Sequence, residues 1–170
     1  MSPRERLLDA ASSLFYEHGI AATGVDAVVR ASGVSKPTLY AHFGDKAGLV
    51  AAVLDARHTR RQAELRAWVA RAEDPITAVF DYLADFYARD GSRGCAFLNA
   101  AAEGAAPEAV AAEKRWLEGF LTAVARSAGR PDPERTGSQL LLLVDGISGR
   151  VVVQGPDAAP AAIADARALL

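Results

Sequence analysis

Residues 23–46 of this 170-residue chain read TGVDAVVRASGVSKPTLYAHFGDK and contain two short helical patterns in succession. Apolar side chains recur at helical spacing on both sides of Gly33, which separates the two patterns. Ser35 precedes a proline in the first turn of the second pattern, which is a typical helix start. We expect the first helix to begin at a capping box formed by Thr23 and Asp26. The stretch therefore predicts two short helices joined by a tight glycine turn.

The second of these helices has a buried side and an open side. Leu39 and Phe43 stand four residues apart and are expected to point inward. The side chains expected on the outer face are those of Lys36, Pro37, Tyr40 and Ala41, with Thr38 at its edge. Such a face is small and rich in hydrogen-bonding groups, so it can approach the edges of bases in a DNA groove. Two helices in this arrangement are typical of a helix-turn-helix, whose second helix enters the major groove.

The chain around this motif resembles the amino-terminal signature of the TetR family. The resemblance is carried by Thr23–Asp26, by Ala31–Phe43 and by Asp45-Lys46, with Leu14-Phe15, His18-Gly19 and Ala22 before them. About twenty positions match in register, and the strong match covers roughly residues 5 to 54. A lone glycine turn would be weak support, whereas a match of this length is specific.

The resemblance implies a two-fold dimer on a palindromic operator and a carboxy-terminal domain whose ligand lowers DNA affinity, with repression as the usual mode. By this likeness Lys36, Pro37 and Thr38 contact bases. The residues expected to contact phosphates are Thr23, Tyr40, His42 and Lys46, and the side chain of Lys36 is also long enough to reach a phosphate. Ala41 stands where many relatives carry a larger polar residue, so it is expected to offer an apolar contact to a thymine methyl group. Gly48 replaces an often acidic residue and is expected to loosen the first turn of the fourth helix.

Helical periodicity continues through the rest of the chain. We expect about nine helices and no convincing strand, hence an all-α fold. Asp74-Pro75 and Asp132-Pro133 repeat the pattern of a capping residue followed by proline. The expected division is a helix-turn-helix DNA-binding domain over residues 1–46 and a helical effector-binding and dimerisation domain over residues 47–170.

Charge and composition agree with this division. The formal net charge is -2, but residues 1–61 carry eight basic and six acidic side chains, whereas residues 62–170 carry eleven and fifteen. The front of the chain therefore favours a nucleic-acid contact more than the back does. The single cysteine, Cys95, excludes an internal disulfide. Since the chain opens without a signal-peptide pattern and has no long apolar run, we expect a cytoplasmic protein.

Catalytic and metal-binding chemistry have little support in the sequence. The three histidines, His18, His42 and His58, all lie in the front third of the chain, away from Cys95. We expect His18 to pack in the core. No cysteine or histidine cluster has the spacing of metal ligands, and no glycine-rich loop follows a strand. We therefore expect no enzymatic activity, no cofactor and no metal.

Two further sites are expected in the back of the chain. Segments that line the ligand cavity in similar proteins carry Tyr82, Phe86, Cys95, Asn99, Trp116 and Phe120, although aromatic residues at this spacing are also typical of an ordinary core. The eighth helix is apolar around much of its circumference, which predicts burial on more than one side. We expect a homodimer in which this helix and the last helix pack against the same two helices of a second copy. The residues expected at this interface are Leu140, Val144, Ile147, Val151 and Ile163.

Two other functions remain open at this point. One is a DNA-binding dimer without a small-molecule ligand, controlled by a protein partner. The other is a helical ligand carrier or enzyme whose helix-turn-helix is vestigial and no longer binds DNA. This function would require the face of Lys36, Thr38 and Tyr40 to be buried or blocked.

Overall fold

The structure is a computed structural model that describes residues 1–89 and 93–170. These residues form nine α-helices and one short 3₁₀ turn, with no strand among them. The helices are α1 (Pro3–His18), α2 (Val25–Ser32), α3 (Lys36–Phe43), α4 (Lys46–Val69), α5 (Pro75–Arg89), α6 (Ala96–Ala102), α7 (Pro107–Ser127), α8 (Pro133–Gln154) and α9 (Ala159–Ala168). The 3₁₀ turn spans Pro156–Ala158. The predicted all-α class is confirmed.

Three helices begin where the pattern of a capping residue followed by proline predicts. The Ser35 side chain accepts a hydrogen bond from the backbone N–H of Thr38 at the start of α3. Asp132 caps α8 in the same way, and the Asp74 carboxylate accepts from the N–H of Ile76 at the start of α5. Each cap satisfies a backbone donor that the first helical turn leaves without an internal partner.

The capping box expected at Thr23 and Asp26 is wrong. α2 begins one residue later, so Gly24 is its N-cap and no side chain caps it. The Thr23 hydroxyl instead donates to the carbonyl oxygens of Gly19, at 2.7 Å, and Leu14, at 3.3 Å. A capping box is present at α1, where Ser2 and Glu5 bond to each other's backbone N–H groups. The spacing Ser-x-x-Glu in the sequence carries that signal.

The described residues form two compact units. Unit 1 comprises residues 1–59 and 96–111, and unit 2 comprises residues 60–95 and 112–170, with residues 90–92 outside the description. Residues of α4 and of α7 contribute to both units, because the unit bounds fall within these helices. The functional division expected at residues 46 and 47 stays a prediction.

Unit 1 packs α1, α2 and α3 against one another around a small apolar core. Its buried side chains include Leu7, Phe15, Val28, Leu39 and Leu49. His18 was expected in this core, and that expectation is wrong, since its side chain is 62% exposed beside Glu17. It lies in the last turn of α1, at the surface of the unit.

Unit 2 has a larger apolar core built from α5, α7, α8 and α9 with the end of α4. The five side chains expected at a dimer interface all lie inside it: Leu140, Val144, Ile147, Val151 and Ile163 are each at most 4% exposed. These side chains are therefore covered within unit 2 itself, because an apolar helix buries its widest stripe in its own core first. Their assignment to an interface stays a prediction.

Within the described part of the chain, no helix combines the length and the apolar character needed to cross a bilayer.

Candidate nucleic-acid interface

The second helix of the helix-turn-helix, α3, packs against unit 1 on its inner side and is accessible on its outer side. Leu39 is fully buried and Phe43 is half-buried, as the spacing predicted. At the start of α3 the Ser35 and Thr38 hydroxyls lie 2.7 Å apart, so the capping residue also orients Thr38. The helix is therefore fixed by its N-cap and by one buried leucine on its inner side.

The outer face of α3 is accessible within unit 1. Lys36, Pro37, Ala41 and His42 are exposed, Tyr40 is 43% exposed, and Thr38 is half-buried. The orientation predicted from the sequence is therefore confirmed. The individual contacts of these side chains to bases and phosphates stay predictions.

Lys36 has an acidic neighbour that the sequence analysis did not single out. Its Nζ lies 2.8 Å from Oδ1 of Asp26, which projects from α2. This hydrogen-bonded ion pair lowers the pKa of Asp26 and raises the pKa of Lys36. Both groups are therefore charged at neutral pH, and the pair loses its negative partner only when the pH falls through the lowered pKa of Asp26. A phosphate that binds Lys36 would have to compete with this carboxylate.

Two of the predicted phosphate contacts have structural roles inside unit 1. Thr23 is buried, and its hydroxyl is engaged by the carbonyls at the end of α1. Lys46 is half-buried, and its Nζ donates to the carbonyl oxygen of Ala21 at 3.4 Å. Both residues thus stabilise the loop between α1 and α2, and a contact of either one to DNA stays a prediction.

Gly48 permits a tight turn between α3 and α4. A Cβ at this position would lie 2.0 Å from the carbonyl oxygen of Phe43, while the Gly48 N–H donates to Asp45 Oδ1 at 2.7 Å. The backbone therefore approaches too closely for a side chain at this position, and the expectation that the glycine loosens the first turn of α4 stays a prediction.

The loop between α1 and α2 is also held by Glu103, which the sequence analysis did not identify. Its two carboxylate oxygens accept hydrogen bonds from the backbone N–H groups of Ile20, at 3.1 Å, and Ala21, at 2.5 Å. Both partners belong to unit 1. These residues are 82 and 83 positions apart in the sequence, so no local pattern could reveal the contact.

Unit 2 contains a buried ionic cluster around Arg61. Its Nη1 lies 3.2 Å from Oε1 of the fully buried Glu113 and 3.8 Å from Sγ of Cys95. Burial acts to lower the pKa of Arg61, but the adjacent Cys95 and Glu113 outweigh it and the pKa is raised. Nearby, the Tyr82 hydroxyl donates to Glu64 at 3.2 Å, and burial raises the pKa of this tyrosine while Arg61 acts against the rise.

The residues expected to bind a ligand do not all lie in the same unit. Tyr82 and Cys95 are buried in unit 2, where Tyr82 stacks on Phe86 and the half-buried Trp116 stacks on Phe120 with ring centroids 5.2 Å apart. Asn99 belongs to unit 1. There it lines a groove together with residues of α1 and α4, which are Ser12, Phe15, Tyr16, Val50, Val53, Leu54 and Arg57. The charged pair of Arg61 and Glu113 was missed because neither residue stands out by spacing.

Among the residues that the structure describes, no three histidine, cysteine, aspartate or glutamate side chains are grouped in a way that could hold a metal ion.

Known proteins resemble this chain at the level of both sequence and structure. The sequence model described as bacterial regulatory proteins of the tetR family matches residues 7–53. The HTH-type transcriptional repressor ComR of Escherichia coli (strain K12) is 39% identical over 101 residues, which cover 56% of this chain and 48% of ComR. The aligned part thus spans about half the length of this curated relative.

Two solved structures extend the similarity over nearly the whole chain. SCO4454, a TetR-family transcriptional regulator from Streptomyces coelicolor, superposes with a TM-score of 0.88 at 30% identity, covering 98% of this chain and 93% of SCO4454. The protein sav143 from Streptomyces avermitilis superposes with a TM-score of 0.77 at 32% identity, covering 91% of this chain and 88% of its own. With the helix-turn-helix in unit 1 and the helical unit 2, this chain belongs to the TetR family of bacterial regulatory proteins.

Proposed function

We propose that this protein is a sequence-specific DNA-binding transcriptional regulator, a repressor that a small-molecule effector releases from a palindromic operator. The observation that carries the proposal is the accessible outer face of α3, with Lys36, Thr38 and Tyr40 above the buried Leu39. Side chains of this kind can donate hydrogen bonds to base edges and phosphates in the major groove. The similarity to repressors such as ComR supports the direction of regulation.

DNA binding is tested by fluorescence anisotropy with duplex DNA from the region flanking the protein's own gene, titrated at several salt concentrations. We expect affinity to fall steeply with salt, because phosphate contacts release counterions. Lys36→Ala is expected to weaken binding and to reduce the slope of log K against log salt by about one. Tyr40→Phe is expected to weaken binding by the loss of one hydroxyl donor.

A second variant, at Asp26, is expected to change DNA affinity in the opposite direction. Asp26→Asn removes the carboxylate that competes for Lys36, so binding should become tighter, while the salt slope should stay close to that of the unmodified protein because the number of phosphate contacts does not change. Asp9→Asn, on the exposed side of α1, makes the same change in net charge away from Lys36 and is the matched control. Weak, salt-insensitive binding of the unmodified protein to every duplex would refute the proposed function.

A homodimer is part of the same proposal, since two recognition helices must lie about 34–36 Å apart to meet successive turns of a duplex. The surface that supports it is an exposed apolar stripe on α8. Leu142 is 71% exposed and Val153 is 83% exposed, and between them Gly146 and Gly149 have open space where a Cβ would lie. The cost of two glycines in a helix interior is explained if another helix crosses closely there.

The dimer is tested by light scattering at micromolar concentration. We expect a dimeric mass for the unmodified protein and a monomeric mass for Leu142→Arg, because a buried cation in an apolar interface is strongly unfavourable. Ala123→Arg introduces the same side chain at an exposed position of α7 and should leave the mass unchanged. A monomeric mass for the unmodified protein would exclude the dimer.

The effector site is proposed to lie in unit 2, near Tyr82, Cys95 and the ion pair of Arg61 and Glu113. Apolar walls with a few polar groups are typical of small-molecule sites. The coupling free energy needed between effector binding and DNA binding is about 1–3 kcal/mol, which corresponds to a several-fold to hundred-fold change in operator affinity. The proposal fails if no compound in a screen by the same anisotropy assay changes DNA affinity, and control by a protein partner would then be favoured.

The least supported alternative is a carrier or enzyme whose helix-turn-helix is vestigial and no longer binds DNA. That function would need the outer face of α3 to be covered, whereas Lys36 and Tyr40 are exposed within unit 1.

A further inference from the structure

Glu103 contacts the loop between α1 and α2, just before the helix-turn-helix, from a segment more than fifty residues further along the chain. The backbone of Glu103 is fixed by the end of α6. The Ala105 N–H donates to the carbonyl of Ala100 at 2.8 Å, and the N–H of Gly104 donates to that of Ala101 at 3.0 Å. Gly104 has a φ of +66°, so these bonds form the left-handed turn of a Schellman motif with Glu103 as its C-cap. The side chain thus starts from a rigid position.

The loop that receives Glu103 is shaped for a carboxylate. Gly19 has a φ of +91°, and a Cβ added to it would lie 3.1 Å from Glu103 Oε1. The two N–H groups that follow, those of Ile20 and Ala21, both point at the carboxylate. Hydrogen bonds from backbone N–H groups to an ionised acceptor are among the stronger ones in proteins.

Ala21 connects Glu103 to the start of α4, which follows the DNA-binding helix α3. Its N–H is held by Glu103, and its carbonyl oxygen accepts a hydrogen bond from Lys46 Nζ at the start of α4. Thr23 fixes the other end of the loop through Gly19, directly before α2 begins. Both ends of the helix-turn-helix are therefore connected to one loop, and Glu103 is the side chain that reaches this loop from α6.

We propose that Glu103 is a positioning residue for DNA reading, which sets the placement of α2 and α3 by holding the Ile20 and Ala21 amides. The proposal rests on the proposed function, since it assumes that α3 reads DNA. According to this proposal Glu103 strengthens DNA binding, whereas its negative charge alone would weaken it. A carboxylate repels phosphates, so its removal would tighten binding if charge alone mattered.

The test compares Glu103→Gln with Glu108→Gln, which removes the same charge from an exposed position in the first turn of α7 within unit 1. Amide hydrogen exchange is measured without DNA, and DNA affinity is measured by anisotropy across a salt series. For Glu103→Gln we expect faster exchange at Ile20 and Ala21 and a DNA affinity about five- to tenfold weaker. The salt slope should not change, because the substitution removes no cation that could neutralise a phosphate. Glu108→Gln should leave exchange unchanged and affinity equal or slightly tighter.

Glu103→Ala is the second variant, and it should reproduce the loss more strongly because it retains no acceptor. Unchanged exchange at both amides in the two Glu103 variants would overturn the proposal whether or not the protein binds DNA. Faster exchange with unaltered or tighter DNA binding would overturn the positioning role. If the unmodified protein binds no duplex, the proposed function itself fails and the role of Glu103 in DNA reading fails with it, while the exchange data still report on the contact.

Discussion

Replacing Glu113 with alanine is expected to destabilise the protein by about 3–5 kcal/mol, because it leaves the guanidinium group of Arg61 buried without its carboxylate. Glu113 is fully inaccessible, and the Arg61 side chain is 16% exposed. Within the described residues, Arg61 Nε is buried and makes no hydrogen bond, so the guanidinium depends on its remaining contacts. Urea denaturation followed by far-UV circular dichroism measures the loss directly.

Two variants separate this effect from a general response of α7 to substitution. Glu118→Ala, at an exposed position on the same helix, should change stability by less than about 0.5 kcal/mol. The double variant Arg61→Met with Glu113→Leu removes both charges and should recover most of the stability, since buried ion pairs are often replaceable by apolar side chains. A Glu113→Ala protein as stable as the unmodified one would show that the ion pair does not hold these helices.

Leu39→Ala is expected to abolish DNA binding although Leu39 does not lie on the outer face of α3. Its side chain is fully buried, and loss of a buried leucine typically costs about 2–5 kcal/mol. Because α1, α2 and α3 share one small core, this loss should open the helix-turn-helix before it affects unit 2. Hydrogen exchange of the α3 amides, read together with DNA anisotropy, would record both consequences.

Tyr40→Leu is the matched control for Leu39→Ala. Tyr40 lies next to Leu39 on the same helix but is partly exposed, so exchange in α3 should stay within a small factor of that in the unmodified protein. If Leu39→Ala kept both the slow exchange and the DNA affinity of the unmodified protein, the buried leucine would not be what holds α3 in place.

Helix positions, helix starts and the inner and outer sides of α3 could be predicted from the sequence. The spacing of Leu39 and Phe43, the cap at Ser35 and the prolines after Asp74 and Asp132 are local signals, and local backbone geometry depends on neighbours a few residues away. The same signals misplaced the start of α2. There the Thr23 hydroxyl donates to the carbonyl of Gly19 in the turn that ends α1, and α2 begins after Gly24 without a side-chain cap.

The tertiary structure alone decided which side chains are covered and which charged groups meet. Periodicity showed that α8 is apolar on several sides, but it could not show that Leu140 and Val144 fill the core of unit 2 while Leu142 and Val153 remain exposed. The contacts of Glu103 with Ala21 and of Arg61 with Glu113 join residues far apart in sequence. The physical reason is that helix formation is governed by short-range geometry, whereas burial and ion pairing depend on the segments that packing brings together.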